Sequence, residues 1–175
     1  MSALEVVAKP RFGKSELEWL MRVREARTNS SGVPAFTLVF PGAESTSAQV
    51  LRHVEATCAA TARIHFCLRS AMIVPDITGY HVFLVPDEGF GAIVRLHDRL
   101  HVGPLAGCLR PEIPYIPHLT VASTGDLALA RRTKARINAH DLSIAGRIDA
   151  LEVHERDTER RCLAAVQLAH KGFFH

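Results

Sequence analysis

Two hexapeptides in this chain rhyme. Pro34-Ala35-Phe36-Thr37-Leu38-Val39 and Pro117-His118-Leu119-Thr120-Val121-Ala122 both read proline, one variable residue, an apolar residue, threonine, then two apolar residues. Each has the β-branched character and proline boundary of a short strand. The threonines stand 83 residues apart. Either the two strands agree by accident, or the chain carries two copies of a larger unit. A repeated unit restricts the fold much more, because each copy must find a partner against which to bury its apolar face.

The surrounding elements favour repetition. Leu4 to Ala8 is a short β-type run, and with Ser15 as N-cap the spacing of Leu17, Leu20 and Val23 predicts a helix to about Ala26. The first motif strand, Phe36 to Phe40, closes at Pro41-Gly42 and is followed by a helix from about Ser47 to Ala60, then by strand character from Arg63 to Val74. The order then restarts. Tyr80 to Val85 reads as a strand, Ile93, Leu96 and Leu100 as one helix face, and His118 to Ala122 as the second motif strand. Asp126 caps a helix to about Ala139 with an outer face of Arg131, Arg132, Lys134 and Arg136, a run that suits solvent better than RNA. Leu142 to Val153 reads as strand, and Cys162 to Ala169 as a last one. Both halves therefore run strand, helix, motif strand, helix, strand. The expected fold is α+β, with two pseudo-symmetric lobes, each an antiparallel sheet flanked by helices, around a central cleft. The lobes should cover roughly 1–76 and 77–160 of a single domain spanning 1–175, with the C-terminal strand completing a sheet.

Composition narrows the class. With 47% hydrophobic and 22% charged residues over 175 positions, the chain can pack one sizeable core. No apolar run approaches the roughly 18–20 residues of a membrane span, and the N-terminus does not look like a signal peptide, so a cytoplasmic location is expected. A net charge of +3 is too mild for a DNA-coating protein. Cys58, Cys67, Cys108 and Cys162 form no C-x-x-C pair, which reads as scattered reduced thiols rather than a zinc cluster.

On a strand, residues i and i+2 share a face. His118 therefore projects with Thr120, and Ala35 with Thr37. A threonine hydroxyl is one donor and two acceptor lone pairs, suited to a phosphoryl oxygen. A histidine beside it can give or take a proton near neutral pH. A histidine on both strands would allow one to activate an attacking hydroxyl while the other protonates the leaving oxygen.

The set resembles the two-histidine phosphoesterase superfamily, also called the 2′-5′ RNA ligase or cyclic phosphodiesterase family. GVPAFTLVFP is similar to its first motif apart from the histidine, HVFLVPDEG to its central strand segment, and PHLTVA to its second motif. The resemblance runs over nearly the whole chain. It implies a cleft for a small nucleotide or RNA with a 2′,3′-cyclic phosphate or 2′-5′ linkage, worked without ATP, cofactor or metal. It also implies His118 as the catalytic group and Thr120 and Thr37 as phosphate holders. Ala35 stands where the family has its first histidine, and a methyl group moves no proton. The alternative is a binding module for RNA ends that does no chemistry. Ala35 is inherited or introduced, or another histidine makes up for it; His65 and His81 are on predicted strands and are the candidates. Tyr115, just ahead of the second motif, either stacks on a base or fills its loop. His97 and His101, four apart, read as a solvated helix face because no H-E-x-x-H glutamate accompanies them. His170 and His175 belong to the terminal tail.

Overall fold

The computed structural model describes residues 3–25, 34–42 and 45–170, so Ala26 and His175 lie outside the described residues. In chain order they form β1 (Ala3–Ala8), β2 (Arg11–Phe12), α1 (Lys14–Glu25), β3 (Phe36–Gly42), α2 (Ser47–Ala59), β4 (Ile64–Asp76), β5 (Gly79–Glu88), α3 (Phe90–Leu100), a 3-10 turn at Gly103–Cys108, β6 (Leu119–Thr124), α4 (Leu127–Asn138), β7 (Ile144–Ile148), β8 (Ala150–Arg156) and β9 (Arg160–Gln167). The strands make two sheets, β3-β1-β8-β9 and β2-β7-β4-β5-β6. Every pairing is antiparallel. The expected α+β architecture is present.

Helix starts follow local chemistry. Thr46 and Gln49 close a reciprocal capping box ahead of α2, and the Asp126 carboxylate accepts from the Ala128 N–H at 2.8 Å ahead of α4. The start of α1 differs from expectation. It begins at Lys14 with the Gly13 carbonyl accepting from Leu17 N–H, and Ser15 lies inside the first turn bonded to Glu16. The chain enters α3 through Gly89 at φ 82°, where a Cβ would run into the His65 carbonyl and Phe66. Only glycine meets both demands.

The core lies between the sheets. Phe36 of β3 packs edge-to-face on Phe66 of β4 with ring centres 5.1 Å apart, and Phe12 approaches the same ring from another side at 5.8 Å. Phe36, Leu38, Leu84, Leu119, Ile148 and Leu151 are wholly buried. Each contributes about 1.5–3 kcal/mol relative to an exposed side chain.

The repeat is visible in the strand pairing. β1-α1-β3-α2 and β5-α3-β6-α4 follow the same order, and each motif strand lies beside the strand that opens its unit. Thr37 stands opposite Val7, and Thr120 opposite Phe83. Both motif strands are sheet edges. Each sheet also draws strands from both sides of residue 76, because β2 and β4 join one and β8 and β9 the other. The region Leu142 to Val153, expected as one strand, is two. Asp149 separates β7 from β8, and the two strands belong to different sheets.

Candidate functional site

Alternation along β6 drives Leu119 and Val121 into the core and leaves Thr120 half-buried on the other face, with His118 immediately before the strand. Opposed residues of an antiparallel pair share a face. The pairing of Thr120 with Phe83, and of Phe83 with Met72, therefore assembles one surface, to which His81 and Ser123 belong as the next pair along. His118 lies flat on Phe83, ring centres 3.6 Å apart and 15° from parallel.

The tautomer of His118 follows from its neighbour. Nδ1 sits 2.7 Å from the Ile116 carbonyl, which only accepts, so Nδ1 carries the hydrogen and the lone pair of the neutral ring is on Nε2. Burial lowers the His118 pKa from its ordinary value, the Ile116 carbonyl opposes this, and the nearby His81 adds to it. The net result is a neutral imidazole at pH 7, a ring prepared to accept a proton.

His118 lines a cavity of about 580 Å³. Its walls come from β4 and β5 (Val74, Phe83), from α3 (Val94, His97), from Phe40 of β3 and from the segment between the 3-10 turn and His118. Asp76, Asp98 and Arg110 add charge to a lining that is otherwise mostly apolar. A cavity of this size and character fits a small organic ligand of nucleotide dimensions.

Both motif threonines offer their backbone carbonyls to side chains, as edge strands permit. Thr37 O accepts from Tyr115 Oη at 3.1 Å, and Thr120 O from Arg24 Nε at 3.2 Å. Tyr115 also stacks on His97 at 3.9 Å, nearly parallel, so one face of its ring is covered while its hydroxyl links the second motif's approach to the first motif strand. Burial pushes its pKa up. The neutral phenol is the form that donates to Thr37.

The remaining histidines separate by position. Ala35 is half-buried just before β3. His65 is exposed on β4 opposite Arg147 and does not line the cavity. His81 is closer to His118, but its nitrogens are occupied: Nδ1 is 2.8 Å from Ser123 Oγ and Nε2 is 3.0 Å from Asp76 Oδ2. His97 and His101 are not the solvated face the sequence suggested. Both are buried, with His101 Nδ1 donating to the His97 carbonyl at 2.8 Å and His97 Nδ1 at 2.9 Å from Asp98. Phe83, Asp76 and Arg24 belong to the surroundings of the motifs and had no signal in linear sequence, since cross-strand register brings the first two there and the packing of α1 on β6 the third. Arg131, Arg132 and Arg136 are exposed on α4 as expected, and no helix among the described residues is long and apolar enough to cross a membrane.

These features define a two-sheet α+β protein with a threonine motif on one edge strand of each sheet and a histidine beside the second. The model of the 2′-5′ RNA ligase superfamily matches residues 22–160, and the chain belongs to that family. The fold is shared with solved structures of low sequence identity. TT0787 of Thermus thermophilus superposes with a TM-score of 0.68 at 12% identity, covering 97% of this chain and 100% of that one. E. coli LigT complexed with 3′-AMP gives 0.60 at 14%, covering 97% and 99%. Usb1 of Kluyveromyces marxianus gives 0.57 at 9%, covering 95% and 98%. Comparison with curated protein sequences gives no match.

Proposed function

We propose that this chain acts on, or holds, a phosphorylated ribose end: a 2′,3′-cyclic phosphate or a 2′-5′ linkage on a small nucleotide or RNA. The observation that carries this reading is the His118 ring, with Nδ1 fixed by Ile116 and Nε2 left for proton transfer beside a nucleotide-sized cavity. Thr37 and Thr120 are the proposed phosphate holders, and Tyr115 contributes the ring edge and face that His97 leaves uncovered. In the neutral state His118 takes the proton from the attacking water or hydroxyl. The leaving oxygen then needs an acid, and Ala35 is where a second histidine would supply it. Chemistry by this route uses neither metal nor ATP, and is slow.

The test is turnover of a nucleoside 2′,3′-cyclic phosphate. His118→Ala should lower the rate by about 10²–10⁴-fold, the usual contribution of a general acid or base. Ala35→His should raise it by at least about tenfold. Unchanged turnover in His118→Ala would remove His118 from the reaction. A second reading, a binding module without chemistry, is favoured by Ala35 itself. Calorimetric binding of the cyclic nucleotide with no product after long incubation would establish it.

A further inference from the structure

The two histidines that the sequence placed on a solvated helix face line the His118 cavity from the side of α3. His97 and His101 stand one helical turn apart, both buried, with ring centres 4.2 Å apart. Each turns Nδ1 back toward its own helix. His101 Nδ1 donates to the His97 carbonyl at 2.8 Å, and His97 Nδ1 is 2.9 Å from Asp98 Oδ1. A carbonyl and a carboxylate only accept, so each neutral ring carries its hydrogen on Nδ1 and a lone pair on Nε2. Burial, the largest influence on His101, lowers its pKa and favours that neutral form. On the far side of each ring, Nε2 has no bond to any described residue and is not sealed in the interior. Both lone pairs therefore open on the cavity that the rings line.

The rest of the lining narrows what can meet them. The Tyr115 hydroxyl is engaged with the Thr37 carbonyl, and His118 Nδ1–H with that of Ile116. Arg110 is the one arginine or lysine among the lining residues, and its guanidinium lies 5.5 Å from the centre of the Phe40 ring. The polar groups left open are mostly acceptors: Nε2 of His97, His101 and His118, and the carboxylates of Asp76 and Asp98. The remaining walls are mostly apolar. Such a space suits a flat apolar group that donates hydrogen bonds. A group with only acceptors would leave the two imidazole lone pairs unmatched and lose its own bonds to water.

We propose that His97 and His101 form the base-recognition subsite of this cleft and select a nucleobase bearing an exocyclic amine. The amine has two N–H groups, and the pair presents two acceptors on one wall. The inference rests on the phosphoester reading and supplies the other end of its ligand, with the phosphate at His118 and Thr120 and the base against α3. His97 and His101 set specificity and move no proton.

The experiment is calorimetric titration of the full chain at about pH 8, where ordinary imidazoles are neutral. The ligands are the 2′,3′-cyclic phosphates of adenosine and of purine riboside, which differ only in the 6-amino group. The adenosine ligand should bind at least about tenfold more tightly, as for a site whose polar atoms the analogue leaves unpaired. His101→Asn keeps a donor near the Nδ1 position for the His97 carbonyl and deletes the acceptor at Nε2. It should reduce the preference to less than about threefold, with binding of the purine riboside ligand unchanged. Should that variant not fold, nitrogen NMR of the wild-type chain decides. The Nε2 resonances of His97 and His101 should shift with the adenosine ligand and stay in place with its analogue. Equal affinities, an undiminished preference in His101→Asn, or unmoved Nε2 resonances would overturn the subsite and leave the phosphate reading standing. Binding of neither ligand would overturn the phosphoester reading and the subsite together.

Discussion

His118 is held between opposing influences, and the balance fixes its charge. Burial is the strongest and lowers its pKa, the Ile116 carbonyl raises it, and His81 lowers it again. The folded value therefore lies below the ordinary 6.5. Below 6.5 the unfolded chain binds a proton that the folded ring resists. The neutral ring's contribution to stability is thus full above 6.5 and lost as the pH falls toward the folded value. The ring resonances of His118 should titrate with a midpoint below 6.5 in an NMR series. His81→Gln should move that midpoint upward, since it removes the repelling imidazole. An unchanged or lower midpoint in His81→Gln would show that the two rings do not communicate. The motif alone pointed to His118, because a histidine two residues from a threonine on a strand reads directly from sequence. Phe83 beneath the ring did not, because its position depends on which residue of β5 faces Thr120 across the ladder. The burial of His97 and His101 was equally hidden. His101 bonds back to the His97 carbonyl at the end of α3, and His97 stacks on Tyr115, a residue of the loop before the second motif.

Among the elements, exposed strand edges present backbone groups that must be satisfied, and this protein does so with side chains. β4 pairs with β7 only as far as Leu68, opposite Ile144, while its other edge runs on with β5 to Asp76. Past Leu68 the free edge of β4 is therefore open. At Ala71 it is closed by Asn138, the last residue of α4: Oδ1 accepts from the Ala71 N–H at 2.8 Å and Nδ2 donates to the Ala71 carbonyl at 3.1 Å. The side-chain amide acts as one more residue of a neighbouring strand, and it fixes the end of α4 on the sheet. Asn138→Ala leaves two buried backbone groups without protein partners, at a cost of about 1–3 kcal/mol. Urea unfolding should show a lower midpoint with unchanged slope. A midpoint equal to wild type would mean that water replaces the amide at no cost. The helices and both motif strands were legible from apolar spacing and caps, yet this contact was not. Asn138 reads in sequence as an ordinary residue near a helix end, and its partner lies 67 positions away.

For the whole molecule, the decisive point is the passage between sheets that the chain makes across a single residue, Asp149. The sequence carried a trace of it. Ile144, Gly146 and Ile148 continue one alternation, whereas Leu151 and Val153 take the other parity, so a single strand could not bury both sets on one face. The structure resolves the conflict by ending β7 at Ile148 and starting β8 at Ala150 in the other sheet. The Asp149 backbone carbonyl accepts from Leu168 N–H at 2.7 Å, and its nearly buried carboxylate gathers three guanidiniums. Arg147 binds it with two hydrogen bonds, of 2.6 and 2.9 Å, while Arg11 and Arg63 stand at 3.3 and 3.5 Å. The hydrogen bond from Arg147 leads the causes that hold the Asp149 pKa below 3.8, against an opposing push from burial. A carboxylate depressed in the fold contributes stability that is present above 3.8 and lost as the pH falls through the folded value. Asp149→Asn keeps the size of the side chain and removes the charge. It should lower unfolding stability at neutral pH by about 1–3 kcal/mol, as for a lost charge-assisted hydrogen bond. The same comparison in acid, below the folded pKa, should show a much smaller deficit, because the wild-type carboxyl is then protonated too. A deficit of equal size at both pH values would mean that Asp149 holds the crossing by shape and backbone bonding, and that its charge is incidental to joining the two sheets.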